Sequence, residues 1–306
     1  MLKVSKILIL LITITIIISG ICGFILVKFV LMRSDSTKKN YRYQAPHADA
    51  KTKFYHSLES KPWAHVVAKY MEQQKKQEDE LMQEFYKLAD INTQELQECK
   101  NYYHQHYLTS EQEECCCITE QAKKEIKQKD IALIFDFLHK QNIDIPALKV
   151  VATAQKGLAA TQQSHVYIDD EALLDADKNS LSPLTQAILL HEMQHAMHDD
   201  SFNIFIIKLI LEKWALHDWT NDDCPEKIKQ AKDLLTRFDK FREKRADILA
   251  GLVDPMHARV SADCYKRMVD QGLGDVEIGT HPTNATRYAY LDTLHKEMTA
   301  PVKSNK

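Results

Sequence analysis

The chain predicts a mainly helical α+β protein, with a small sheet beside one chemically loaded helix, preceded by a membrane helix and a helical region. Three observations carry that reading. Only 7 glycines occur in 306 residues, and apolar residues recur at helical spacing through most of the sequence. Two short β-favouring runs, Leu148 to Ala154 and Ser164 to Asp169, stand just ahead of the loaded helix. Near the N-terminus, Ile7 to Val27 carries no charged residue and, at about 1.5 Å per residue, is long enough to cross a bilayer core of roughly 30 Å.

The domain organisation follows. Residues 1–33 are expected to form an anchor that places the lipid bilayer against residues 7–27, residues 34–145 a helical region, residues 146–300 the chemical domain, and residues 301–306 a tail. A cleaved secretory signal is the alternative for the first segment, although the apolar run exceeds a usual signal core and lacks a clean small-residue cleavage site. The basic flank Lys28, Arg33, Lys38, Lys39 and Arg42 favours a cytosolic domain, whereas the short basic start before the apolar run favours export. The side of the membrane stays open. Six cysteines after the anchor, among them the run Cys115-Cys116-Cys117, are compatible with either compartment.

Between Lys61 and Asn142 the pattern is almost wholly helical, with Asn92…Glu95 and Ser110…Glu113 resembling N-terminal caps. Residues 34–145 are also a candidate cover for a cleft further along the chain. The formal net charge of -3 gives no nucleic-acid signature. Phe202 to Leu216 is nearly continuously apolar, but Lys208, Glu212 and Lys213 interrupt it, which reads as a buried or interfacial helix too short to span a membrane. Asp254-Pro255 reads as a helix start, and Ser261 to Gln271 as a helix ended by Gly272.

The loaded helix contains His191-Glu192-Met193-Gln194-His195, after an N-cap candidate at Ser182 and a proline at the first helical position, Pro183. Positions i and i+4 share a helix face about 6 Å apart along the axis, so both imidazoles can reach one metal ion while Glu192 stands beside it. The plain alternative is a chance match on an amphipathic helix. A catalytic zinc takes three protein ligands and keeps one position open, and further along Glu243 fits the third place. Asp247, one turn later, is positioned to accept a hydrogen bond from the far nitrogen of a ligand histidine. Lys240, Arg242, Lys244 and Arg245 surround this pair, so an ordinary solvated charge cluster is the competing reading.

A third element, His281-Pro282 followed by Arg287, completes a pattern. HExxH, then Glu243-x-x-Ala246-Asp247, then His-Pro-x-x-x-x-Arg, in this order, resembles the gluzincin zinc peptidases that include the heat-shock membrane protease HtpX and the CAAX prenyl proteases. The resemblance covers roughly residues 145–300. It implies a zincin-like metallopeptidase domain and one zinc ion per chain, held by His191, His195 and Glu243. It further implies Glu192 as general base and acid, Asp247 behind the ligands, His281 as a donor to the tetrahedral oxyanion, and Arg287 near the site. A protein or peptide substrate is implied, and His165-Val166-Tyr167-Ile168 is the strand expected to pair with it by β-augmentation. Membrane protein quality control is the matching biological role.

The chain departs from those relatives in two respects. Val150 to Ala154 stands where many of them carry an Asn-Ala-Phe-like strand, and their several membrane spans are absent, so neither a prenylated substrate nor an intramembrane chamber is carried over. A catalytically idle, membrane-tethered interaction or chaperone-like protein with a structural zinc is the other reading of the same residues. Substrate preference and oligomeric state are not legible.

Overall fold

A computed structural model describes residues 47–107, 123–124, 128–145, 149–153, 159–162, 165–169, 180–217, 224–275 and 281–301. The expected anchor, its basic flank, the cysteine run and the Ser110…Glu113 cap lie outside the described residues. No described helix is long and apolar enough to cross a membrane.

The fold is mainly helical. In chain order the elements are α1 (Ala48–Glu59), α2 (Ala64–Ala89), α3 (Thr93–Tyr107), β1 (Lys123–Lys124), α4 (Gln128–Lys140), β2 (Lys149–Thr153), β3 (Ala159–Gln162) and β4 (His165–Asp169). There follow α5 (Pro183–His198), α6 (Asp200–His217), α7 (Cys224–Leu252), α8 (Pro255–Met268), a π-helical turn Val269–Leu273, and α9 (Asn284–Thr299). Helix α3 belongs to one compact unit and the other elements to a second. It opens with Glu95 in its first turn, where a carboxylate favours the positive end of the helix dipole.

Helix α5 is the centre of the larger unit. Leu189, Leu190, Met193 and Met197 are fully buried, and every residue from Leu189 to His198 is shielded from solvent. A helix covered on all sides needs partners all round. They come from α1 (Phe54, Leu58), α2 (Val66, Val67, Tyr70), α4 (Ile134, Leu138), α7 (Ile248, Leu249), α8 (Ala258, Ala262) and α9 (Leu291, Leu294), all in one continuous core. Each fully buried Leu or Phe of this kind stabilises the fold by about 1.5–3 kcal/mol.

That core crosses the boundary expected at residue 145. Helix α1 packs on α5 and on α2, α2 packs on α7 and α6, and both give apolar residues to this core, so they belong to the same body as the chemical domain. The Trp63 indole donates to the Leu252 carbonyl at 2.8 Å, tying the start of α2 to the end of α7. The segment read as a removable cover is therefore, in its first two helices, part of the core.

Helix ends follow their sequence signals. Ser182 Oγ accepts from Thr185 N at 3.1 Å with Pro183 in the first turn, and Asp254 Oδ1 accepts from Met256 N at 2.8 Å with Pro255 likewise placed. Gly272 adopts φ 80 where the π-helical turn closes, a conformation that costs a side chain but not glycine. Helix α6 turns Phe202, Ile206, Ile207 and Leu211 inward and leaves Phe205, Lys208 and Glu212 outside, which makes it a docked amphipathic helix.

The strands form one sheet in the order β1-β2-β4-β3. β2 pairs parallel with β4, Lys149 opposite His165, while β3 pairs antiparallel with β4, Gln162 opposite His165. Two of these strands coincide with the runs read from sequence. Another strand, β3, lies between those two runs, where Ala159-Ala160-Thr161-Gln162 has little β-branched content to announce it. The sheet order also corrects the placing of a substrate on His165, Val166, Tyr167 and Ile168. Both edges of β4 are already hydrogen-bonded, and strand addition needs an unpaired edge. β3, which packs beside α5, is an outer strand of this sheet.

Gly251 permits a close helix approach. A Cβ there would meet Leu294 Cδ2 at 2.8 Å and Ala258 Cβ at 3.2 Å. Gly251→Val is expected to lower stability in urea unfolding by about 1–3 kcal/mol through overpacking, whereas Gly274→Ala, whose added Cβ would lie at ordinary contact distance, leaves the midpoint within about 0.5 kcal/mol of the parent.

Candidate metal centre

The site is assembled on α5 and α7. One turn apart on α5, His191 and His195 bring their Nε2 atoms to 3.1 Å. Across from them, on α7, Glu243 Oε2 lies 3.3 Å from His191 Nε2 and 3.5 Å from His195 Nε2. These three residues can hold a metal ion. A tetrahedral metal bound at about 2.0–2.2 Å by each donor separates the donors by roughly 3.3 Å, the spacing seen. Glu243 is 4% exposed and its Oε2 is buried without a hydrogen-bond partner of good geometry, a costly state for a carboxylate that a cation would relieve.

The far side of each imidazole is held by a carboxylate. His191 Nδ1 lies 2.8 Å from Asp247 Oδ1, and His195 Nδ1 lies 2.8 Å from Asp200 Oδ2. Each carboxylate is held in turn by an arginine. Arg287 donates through Nε and a terminal nitrogen to the two oxygens of Asp247, at 2.8 and 2.6 Å, and its guanidinium stacks 4.3 Å from the centre of the Tyr265 ring. The Tyr290 hydroxyl also donates to Asp247. Arg245 donates to Asp200 and, at 3.4 Å, to Glu78. This is the arrangement that turns a ligand histidine so that Nε2 faces the metal and raises its basicity.

Asp200 reaches His195 because α5 ends in a single-residue turn. Asp199 takes the left-handed conformation (φ 53, ψ 41) at the C-cap, its N–H bonded to Ala196 O at 3.0 Å, and α6 begins at the next residue. Burial, followed by the charge of Asp200, pushes the Asp199 carboxyl up to about 7.

Electrostatics bind the cluster together. Burial pushes the His191 imidazolium down, but Asp247, then Glu243 and Glu192, more than offset it and raise the group to about 10. His195 is also raised: burial opposes, and the hydrogen bonds to Asp200 and Glu243 prevail. For Glu243, burial is outweighed by the three histidines His191, His195 and His281, which hold it far below the usual carboxylate range. Asp247 and Asp200 are likewise held low against burial, by Arg287 and Arg245 respectively.

The structure thus brings together His191, His195, Glu243, Asp247, Arg287 and His281. Glu192 is buried on the same helix, and its charge acts on His191. His281 places Nε2 at 3.0 Å from Glu243 Oε2 with its side chain 38% exposed, so it stands where the site meets solvent. Pro282 and the Thr283 cap, whose Oγ1 accepts from Thr286 N at 3.2 Å, start α9 just behind it and carry Arg287 inward by one turn. Sequence reasoning missed Asp200, Arg245 and Tyr290. Arg245 carried a usable signal: it sits at i+4 from Phe241 and i-3 from Ile248, on the apolar stripe of α7. His198 is a core histidine, bonded to the Tyr55 hydroxyl at 2.7 Å and to Gln194 O at 2.8 Å.

A scan against protein-family models finds no match to this chain, and searches of curated proteins and of solved structures likewise return none.

A metal ion and a proton compete for His191 Nε2. Below about pH 10 the metal-free His191 holds its proton, so lowering the pH protects it against metal and raising the pH releases it. Zinc affinity, measured by competition against a chelating dye, is expected to rise by at least about tenfold between pH 6 and pH 7; a flat profile would contradict the site. Asp200→Asn is expected to weaken zinc binding by about 10–100-fold while circular dichroism stays unchanged.

Proposed function

We propose that this chain is a zinc-dependent endopeptidase, attached to a membrane through residues 7–27 and suited to membrane protein quality control. The observation that carries the reading is the His191, His195 and Glu243 cluster at tetrahedral spacing, with a further acid, Glu192, beside the first histidine. The order of the motifs, which resembles HtpX-like gluzincins, supports it independently.

Bound zinc would supply Lewis acidity and make water acidic enough to deprotonate near neutral pH. Everything else is the work of this chain. Glu192 takes a proton from the attacking water and returns it to the leaving amine. His281, at the solvent side, donates to the oxygen on which negative charge develops. Asp200 and Asp247 fix the two imidazoles, and their arginines keep both carboxylates ionised. An extended peptide lies along the outer edge of β3, where strand addition supplies main-chain hydrogen bonds.

A second reading keeps the metal and drops turnover. His281 Nε2 lies 3.0 Å from Glu243 Oε2 but outside the group of ligand atoms that lie within 4.8 Å of one another, so it would have to move inward to close the open position and make the zinc structural. The two readings differ in what His281 and Glu192 do. With the full chain in detergent micelles, Glu192→Gln is expected to hold one zinc per chain and cut casein at least about 10²-fold more slowly than the parent. His281→Ala is expected to keep its zinc affinity within about threefold and lose about 10–1000-fold in turnover. If parent and Glu192→Gln both hold zinc and neither cuts, and His281→Ala loses zinc, the structural reading replaces the enzymatic one.

A further inference from the structure

A cavity of about 380 Å³ lies between α2, α7 and α9. It does not open on the metal centre. Its α7 wall is Phe241, Lys244, Arg245 and Ile248, one face of the helix, rotated by about 130° from the face that carries Glu243 and Asp247. The floor is apolar, with Phe241 and Ile248 buried, and Tyr70 and Tyr290 stand at its sides. Gln73, Gln74, Gln77 and Thr293 complete a polar surround to this apolar floor, so the cavity offers an amphipathic ligand both kinds of contact.

Two lining residues each carry a buried donor without a partner: Gln74 Nε2 and Arg245 Nε. Gln74 is 9% exposed and Arg245 6%, so bulk water does not meet the deficit, and an acceptor group placed in the cavity would. Charge narrows the class of acceptor. Arg245 is matched by Asp200 and Glu78, and Lys51 shares the field of those same acids. Lys244, 5.9 Å from the centre of the Tyr290 ring, has no ion pair among the described residues. One positive charge is left over, which calls for one negative charge.

We propose that this cavity binds a small organic monoanion, a carboxylate with an aromatic or branched apolar body. The carboxylate faces Lys244 and the Gln74 and Arg245 donors, and the body lies on Phe241 and Ile248. The site does not depend on the peptidase reading, and its test uses no turnover.

The probe is hydrocinnamate, titrated calorimetrically into the full, chelator-treated chain in detergent micelles, with empty-micelle blanks and the neutral hydrocinnamamide as comparison. The expected result is saturable binding at about 1 mM or tighter, with the amide about tenfold weaker. Lys244→Met removes the preference for the acid, and Gln74→Leu weakens the acid at least about threefold. One equivalent of zinc leaves binding in place. Absence of saturable binding to the folded parent overturns the proposal. So does equal binding of acid and amide, or a preference for the acid that survives in Lys244→Met. Displacement by one equivalent of zinc puts the carboxylate at the metal centre and overturns it as well. Should Lys244→Met fail to fold by circular dichroism, Lys244→Gln carries the same comparison.

Discussion

Two imidazoles on a buried helix have to present one nitrogen each to the same point, and the organisation of this chain follows from what it takes to hold them there. Left alone in an apolar interior, each ring would choose its own rotamer and tautomer. Asp200 and Asp247 remove that choice by engaging the opposite nitrogens. A buried carboxylate is itself unfavourable unless paired, so Arg245 and Arg287 must follow, together with the Tyr290 hydroxyl and the Tyr265 ring. One requirement at the centre thus fixes side chains on α6, α7, α8 and α9.

This explains why the helices pack as they do. α5 is enclosed on all sides, and the cover is supplied by elements from both ends of the chain. Helices α1 and α2, which periodicity alone marks as amphipathic, give their apolar stripes to the same core. Gly251 lets α7 approach Ala258 and Leu294 closely enough for Arg287, one turn into α9, to reach Asp247.

Much of this was legible in the residues. The HExxH spacing, Glu243 and Asp247 could be placed because helical periodicity converts sequence offsets directly into faces. Arg287 was legible as a position but not as a role, since nothing local says that it turns inward to meet Asp247. Asp200 was hidden because its partner lies across a left-handed turn, where helical offsets cease to apply. Arg245 was masked by the cations around it, Lys240, Arg242 and Lys244, although its place on an apolar stripe set it apart. β4 was recognised as a strand, but its interior position depends on pairing with β3, a short run whose composition is silent. Periodicity describes single elements well; neighbours in a sheet and ends of helices are decided by the rest of the chain.

The donor set is split by distance along the chain. His191, His195 and Asp200 lie within one short stretch and come together as soon as two helices form, on the order of microseconds. Glu243 and Asp247 arrive only when α7 has docked, a contact between distant segments that is closed later. A chain still folding therefore carries a pair of histidines but no complete cage. A metal ion that needs all three donors would therefore have to wait until the tertiary structure is finished, so the half-made protein is held silent by its own topology.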